Sequence, residues 1–335
     1  MRKLVWLLIL LAALWGAWWA VATAQMQSAL SRLLDARRAA GWEVALDDIT
    51  KAGFPLKLQN TLTGLSLADP AQGFQLKAAK TTLSAPLWWP GDLSLDAPGL
   101  HLDTAAGPLP LEVTAQDVAG RLFLSPGLAL ELEQLSLHSA ALELEGPDGP
   151  LLEIAQPRAE MRPLADQPMT YRLHILPDAI TPGPLLRRLF SEDGPPPSAP
   201  SLAVEAEITF DHPLNRQMAM RGSAPRVQQI DLTEARIAWG DISLAANGTV
   251  SVDAEGQPEG ALTLKVQNWE RLVNIAQRAG LLPPAMRLQV ETMLRALENR
   301  GDVPGGLDLE LVFIDGQMTL AGIPLGPAPR LPRTD

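Results

Sequence analysis

Four histidines are the first candidates for chemistry: His101, His138, His174 and His212, spaced 36 to 38 residues apart. Imidazole titrates near neutrality and is the commonest metal ligand, but a working site needs a second ligand or a base close by. The sequence has no HExxH pair and no neighbouring histidines, and only His101-Leu102-Asp103 places a carboxylate in strand alternation with a histidine. Solvent-facing strand positions account for all four; the alternative is a metal site assembled from distant segments. Asp47-Asp48 has the composition of a paired acid–base site, but neighbours on a strand point to opposite faces, so a solvated turn is expected. Asn247-Gly248-Thr249 fits the glycosylation pattern, yet Asn-Gly is first a hairpin turn. GxSxG, Walker-type and GxGxxG loops are missing. With no cysteine there is no disulfide, thiolate metal site or cysteine nucleophile. The sequence therefore calls for no metal and no cofactor, and it names no catalytic residue. The expectation is a protein that is not an enzyme.

The elements that carry these residues follow from composition and pattern. The 335 residues are 47% hydrophobic, enough apolar surface to exclude disorder throughout. The net charge is −11, and Arg2 and Lys3 are the only charges before Gln25, so the remainder carries −13. Such a body has no broad attraction to nucleic acid or to anionic lipid headgroups. Thirty prolines against one tyrosine favour many short, interrupted segments.

Leu4 to Ala24 is 21 residues without a charge. As a helix it spans about 32 Å, close to the ~30 Å hydrocarbon core of a bilayer. Trp15, Trp18 and Trp19 gather near its far end, where indole favours the headgroup level. Residues 1–24 are expected as a transmembrane anchor, with a cleaved signal as the alternative because Ala22-Thr23-Ala24 has the small-x-small form of a signal-peptidase site. Residues 25–41 continue as a juxtamembrane helix with Met26, Leu30, Leu33 and Leu34 on one face. Arg2 and Lys3 favour a cytoplasmic N-terminus, whereas Arg32, Arg37 and Arg38 flank the other end. A three-residue tail is too short to be the working part outside, so the body is expected on the exported side.

Beyond Trp42 the period changes to two. Leu56, Leu58 and Leu62 share one phase, and Leu65 and Leu67 take the other after Thr63-Gly64, the place for a bulge or turn. Phe74, Leu76 and Ala78 alternate, as do Leu93, Leu95 and Ala97, then Leu128, Leu130 and Leu132, then Leu135 and Leu137, then Leu142 and Leu144. One apolar and one polar face per run is the mark of a half-buried antiparallel sheet. Residues 42–190 form a β-rich region, and 191–201, with four prolines, a linker or long loop. Residues 202–335 are again β-rich but include two helices. Asn268 is the expected N-cap of Trp269 to Ala279, and Pro284 opens a second helix with Met286, Val290, Met293, Leu294 and Leu297 at helical spacing. Asp315-Gly316 offers a type I′ hairpin turn. Trp89-Pro90-Gly91-Asp92 is echoed by Trp239-Gly240-Asp241, which is turn chemistry or a trace of duplication. The fold class is mainly β (α+β).

The N-terminal apolar run, the helix after it and Ala52-Gly53-Phe54-Pro55-Leu56-Lys57-Leu58 entering strands resemble the start of AsmA-like envelope proteins. The stretch from Leu244 to Val266, the helical pair and the closing Gly322-Ile323-Pro324-Leu325-Gly326 are similar to a single-anchor bacterial family distantly related to AsmA and TamB. The resemblance implies an inner-membrane protein facing the periplasm, with its sheet curved into an elongated groove and membrane lipid as its partner. It carries no catalytic residue over. The function expected is lipid binding or transfer in a β groove within cell-envelope biogenesis. The candidate lipid-facing residues are Leu93, Leu95, Leu130 and Leu132. The alternative is a non-catalytic assembly module that meets another envelope protein through a sheet edge, and the third reading is an enzyme without a recognisable motif.

Overall fold

The computed structural model describes residues 2–331 apart from 71–72, 105–109, 128, 192–198, 216–224, 281 and 299–305. It divides into two compact units, Met1–Asp148 with Asn215–Gly222, and Gly149–Leu214 with Ser223–Asp335. The Pro-rich stretch 191–201 thus falls inside the second unit, with 192–198 outside the described residues. Both units are mainly β and their strand pairs are antiparallel, as the period-two runs require.

The first unit begins with one helix, α1 (Arg2–Ala39), so the expected anchor and juxtamembrane helix are a single element. Among the described residues no helix is both long and apolar enough to cross a membrane. From Trp15 onward α1 packs on the sheet. Trp15 Nε1 donates to the Pro55 carbonyl at 2.9 Å and Trp19 Nε1 to the Lys57 carbonyl at 2.7 Å. The Trp19 ring meets Phe54 edge-on at 5.4 Å. Two of the three indoles expected at a headgroup level are thus hydrogen-bonded to the protein itself, which satisfies the N–H of a partly buried ring. Thr23 and Leu34 are buried, and Arg38 reaches the Val44 carbonyl at the far end.

After α1 the chain forms β1 (Glu43–Ala45), β2 (Asp48–Ala52), β3 (Lys57–Asp69), β4 (Phe74–Pro86), β5 (Asp92–Thr104), β6 (Leu111–Leu124), β7 (Leu132–His138) and β8 (Ala141–Gly146). β3 to β6 pair in chain order as a meander. At one side β2 and β1 share the length of β3, and at the other β7 and β8 share the length of β6.

The phase change at Thr63-Gly64 is neither a turn nor a loss of register: β3 runs unbroken, pairing Leu62 with Thr81 and Leu65 with Ala78. The same slip occurs at the same level in the three strands beside it. Inward positions step by three from Leu62 to Leu65, Ala78 to Thr81, Ala97 to Leu100 and Ala115 to Val118. Ala79 and Lys80 are both exposed between buried Ala78 and Thr81, and Gln116 and Asp117 are both exposed ahead of buried Val118. Gly64 and Asp117 have φ of 66° and 47°, and a left-handed residue turns the chain so that the alternation skips one position. Gly64 suits this position because its left-handed φ strains any L side chain, and a Cβ there would also displace the exposed Asp47 carboxylate. The crease keeps apolar side chains on one inner face along strands of 13 or 14 residues.

The second unit contains β9 (Gly149–Ala155), β10 (Arg158–Leu164), β11 (Gln167–Leu176), β12 (Ala179–Pro182) and α2 (Pro184–Ser191). These are followed by β13 (Ser201–Phe210), β14 (Val227–Trp239), β15 (Ile242–Val252), β16 (Pro258–Gln267), α3 (Trp269–Arg278) and α4 (Pro284–Glu298). The chain closes with β17 (Gly306–Ile314), β18 (Gln317–Leu320) and β19 (Ile323–Pro327). β10, β11 and then β13 to β19 pair in that order, while β12 pairs with β9. Asn247-Gly248 is not a turn but lies inside β15; a Cβ on Gly248, whose φ is 143°, would strike the Ala261 carbonyl of β16. Asp315 and Gly316, both at positive φ, do form the expected hairpin turn between β17 and β18. Trp89-Pro90-Gly91 and Gly240-Asp241 both occupy hairpin connections, in keeping with turn chemistry.

The helical pair is present as expected, except at its start. Asn268 is left-handed and makes no side-chain cap bond; its amide instead donates to the Asp241 carbonyl. Trp269, Leu272 and Val273 of α3 and Val290, Leu294 and Leu297 of α4 close over Val266, Leu307 and Leu309. Arg287 joins the two helices, donating to Asn274 Oδ1 and Glu291 Oε1, both at 2.6 Å, and to Gln277.

Asn60 lies fully buried on the inner face between Leu58 and Leu62, and neither amide atom has a partner among the described residues. A buried unsatisfied polar group costs about 1–3 kcal/mol. Replacing Asn60 with Leu, which keeps the branched skeleton without its polar atoms, should therefore raise the thermal unfolding midpoint of the full chain followed by circular dichroism.

Candidate functional site

The inner face of the first unit is built from cross-strand ladders of leucine. Leu93 pairs with Leu122, which pairs with Leu135; Leu83 pairs with Leu95, Leu95 with Gly120, and Gly120 with Leu137. Gly120 leaves a dip between Leu95 and Leu137, whose atoms lie 3.6 and 3.5 Å from where its Cβ would be. Among the described residues, the inward positions of β4 to β7 carry no charge. Toward β3 this face is buried, and toward β7 it opens to solvent, with Leu137 49% exposed.

Of the four residues singled out from the sequence, Leu93 and Leu95 share this face. Leu132 joins it through Leu124, because a register shift in the β6–β7 pairing brings Leu132 to the side of Leu135. Leu130 departs from expectation. It precedes β7 with φ of 48°, so it is a loop residue rather than part of a 128–132 strand; Leu128 lies outside the described residues. Leu83, Leu122, Leu135 and Leu137 complete the ladders and are visible only once register is known.

The second unit repeats the design. Leu202, Ile237, Leu244, Val266 and Leu307 form one row across five strands. Its β16–β17 end lies under α3 and α4, whereas Ile237 is 50% exposed. α2, which the sequence reading did not find, lies near that row: Phe190 stacks on Trp239 at 3.8 Å, and Arg271 donates to the Phe190 carbonyl at 2.9 Å. Pro184 at its first helical position was the available signal.

The ion pairs of the long strands lie on the opposite faces, while Asp69 at the end of β3 is buried. Arg121 grips Asp92 with two bonds, Nε to Oδ1 at 2.7 Å and Nη2 to Oδ2 at 2.9 Å, and Arg172 holds Glu207 at 2.7 Å. The Arg121 hydrogen bonds hold the Asp92 carboxyl below its ordinary value. The histidines are spread over these strands and their ends. His101 contacts Thr114 at 3.1 Å, His174 lies 4.0 Å from Glu205, and His212 lies 3.1 Å from Asp211. Asp103 pairs with Lys77 rather than with His101. Asp47 and Asp48 are exposed, and Asp48 accepts from Thr50 at 2.9 Å. Among the described residues no group of three His, Asp or Glu is placed to hold a metal.

A family model, DUF2125, described as an uncharacterized protein conserved in bacteria, matches residues 19–329. The chain belongs to this family. No curated protein and no solved structure matches it. The DUF2125 match starts at Trp19, so it takes in the Trp19 contacts with Phe54 and Lys57, both units and the closing strands.

The Asp92–Arg121 pair fixes a pH dependence. A carboxylate with a depressed native pKa contributes stability that is fully present above its ordinary value of 3.8 and is lost as the pH falls through the lower native value. Asp92→Asn should lower the urea midpoint at pH 7, and parent and variant midpoints should converge as the pH drops well below 3.8.

Proposed function

We infer that this protein is a membrane-anchored envelope protein that binds lipid acyl chains on its apolar inner faces. The observation that carries the reading is the leucine ladder of β4 to β7, uncharged and buried at one side, yet open at Leu135 and Leu137. A sealed sandwich would bury those side chains, and a solvated face would not be leucine. Ile237 and Leu244 leave a second open apolar stretch in the other unit. The uncharged run 4–24 and the resemblance of the sequence to AsmA-like envelope proteins support an inner-membrane anchor, a cytoplasmic N-terminus and a periplasmic body. No catalytic step, cofactor or nucleic acid belongs to this reading.

Acyl chains would be held by burial of apolar surface, worth about 25 cal/mol per Å², so capture should be nearly insensitive to salt, unlike adsorption on a charged surface. Mass spectrometry of lipid carried through native purification tests this. Leu137→Asp and Ile237→Asp place a charge where the side chain already meets water, so the empty fold should melt as the parent does. The charge opposes a bound acyl chain, and lipid recovered per protein should fall several-fold. A parent without lipid, or folded variants that carry as much as the parent, would overturn the reading in favour of an assembly module.

A further inference from the structure

The bonds of Trp15 and Trp19 fix where α1 leaves the first unit. Trp6, Leu10, Leu11 and Leu14 are exposed ahead of that point, and the uncharged run between Arg2-Lys3 and Trp15 extends only about 17 Å as a helix. A hydrocarbon core is ~30 Å thick. An anchor tied to the body from Trp15 onward therefore has no length to spare, and the end of the body beside it cannot stand off the bilayer.

That end has the chemistry to do so. The 53–57 connection and the 86–91 connection lie side by side, with the Leu87 N–H donating to the Leu56 carbonyl at 2.9 Å. Phe54 is 61% exposed and Trp88 68% exposed, with Leu56 exposed beside them. Neither segment contains a carboxylate, and Lys57 is the one charge in either, in a chain of net charge −11. Aromatic rings with one wet edge and a flanking lysine partition to the headgroup level, whereas carboxylates resist it.

We propose that the 53–57 and 86–91 tips are seated in the membrane interface at the level of Trp15 and Trp18, so that the sheet stands with this end in the bilayer. The proposal rests on the anchor reading above. It also gives the inner face a lipid supply, because buried Leu58 follows closely on exposed Leu56 and buried Leu87 directly precedes exposed Trp88.

The absence of cysteine makes single-site spin labelling specific. Leu10→Cys, Trp88→Cys and Glu112→Cys, the last at the far end of the same sheet, would each be labelled in the full chain. Each would be reconstituted in phosphatidylethanolamine–phosphatidylglycerol vesicles and compared for collision with oxygen and with a water-soluble nickel chelate. All three sites are exposed, and melting against the parent checks the fold. The oxygen-to-nickel ratio should be several-fold higher at position 88 than at 112, and higher again at position 10. A ratio at 88 equal to that at 112, with position 10 in the bilayer, overturns the seating and leaves the anchor standing. Equal ratios at all three positions overturn the anchor, and the seating with it.

Discussion

Everything in this fold depends on keeping apolar side chains on one side of very long strands. A strand of 13 residues spans about 43 Å, and over that length a single error of phase would turn half of its leucines toward water. The crease prevents this. Four adjacent strands each skip one position at the same level, and the skip is shared because a lone bulge in one strand would break its register with its neighbours. Gly64 and Asp117 supply the left-handed residues at the two outer strands of the set. The polar positions follow suit: Lys77 with Asp103, and Arg121 with Asp92, lie on either side of the crease and both face outward.

A one-sided sheet must cover its apolar face, and each unit does so only in part. In the first, α1 packs by β3 and leaves the β7 side open. In the second, α3 and α4 cover β16 and β17 and leave Ile237 and Leu244 exposed. The two covers are held differently. α3 and α4 are crosslinked by Arg287 and anchored by buried Trp269, whereas α1 is held to the sheet end by two indole N–H bonds to carbonyls. Buried leucine on one side and open leucine on the other therefore share a single continuous face.

How much of this was legible in the sequence depended on distance along the chain. Period-two alternation marked the long strands, and Thr63-Gly64 marked the crease in β3, because both are local. The helical pair was visible from its apolar spacing. Strands β9 to β12 were not, since Pro150, Pro157, Pro163, Pro168 and Pro177 interrupt any run long enough to count. Asn247-Gly248 and Asn268 misled for the opposite reason: a strong local preference gave way to the approach of β16 and to the Asp241 carbonyl. The face itself was only half legible. Leu93 and Leu95 could be grouped by alternation, but Leu135 and Leu137 join them through cross-strand register, and Leu130 was lost to a left-handed loop.

The packing of α1 ties the apolar run to the body of the first unit. Here Trp15 and Trp19 precede the Ala22-Thr23-Ala24 pattern and Thr23 lies within it, and all three are engaged: two indoles donate to Pro55 and Lys57, and Thr23 is fully buried. A chain beginning at Gln25 would lose these groups together, leaving the Pro55 and Lys57 carbonyls without their indole donors and uncovering what the helix now shields. The N-terminal helix is therefore part of the fold of the first unit, and the same residues that give it an uncharged, apolar character also supply its specific contacts.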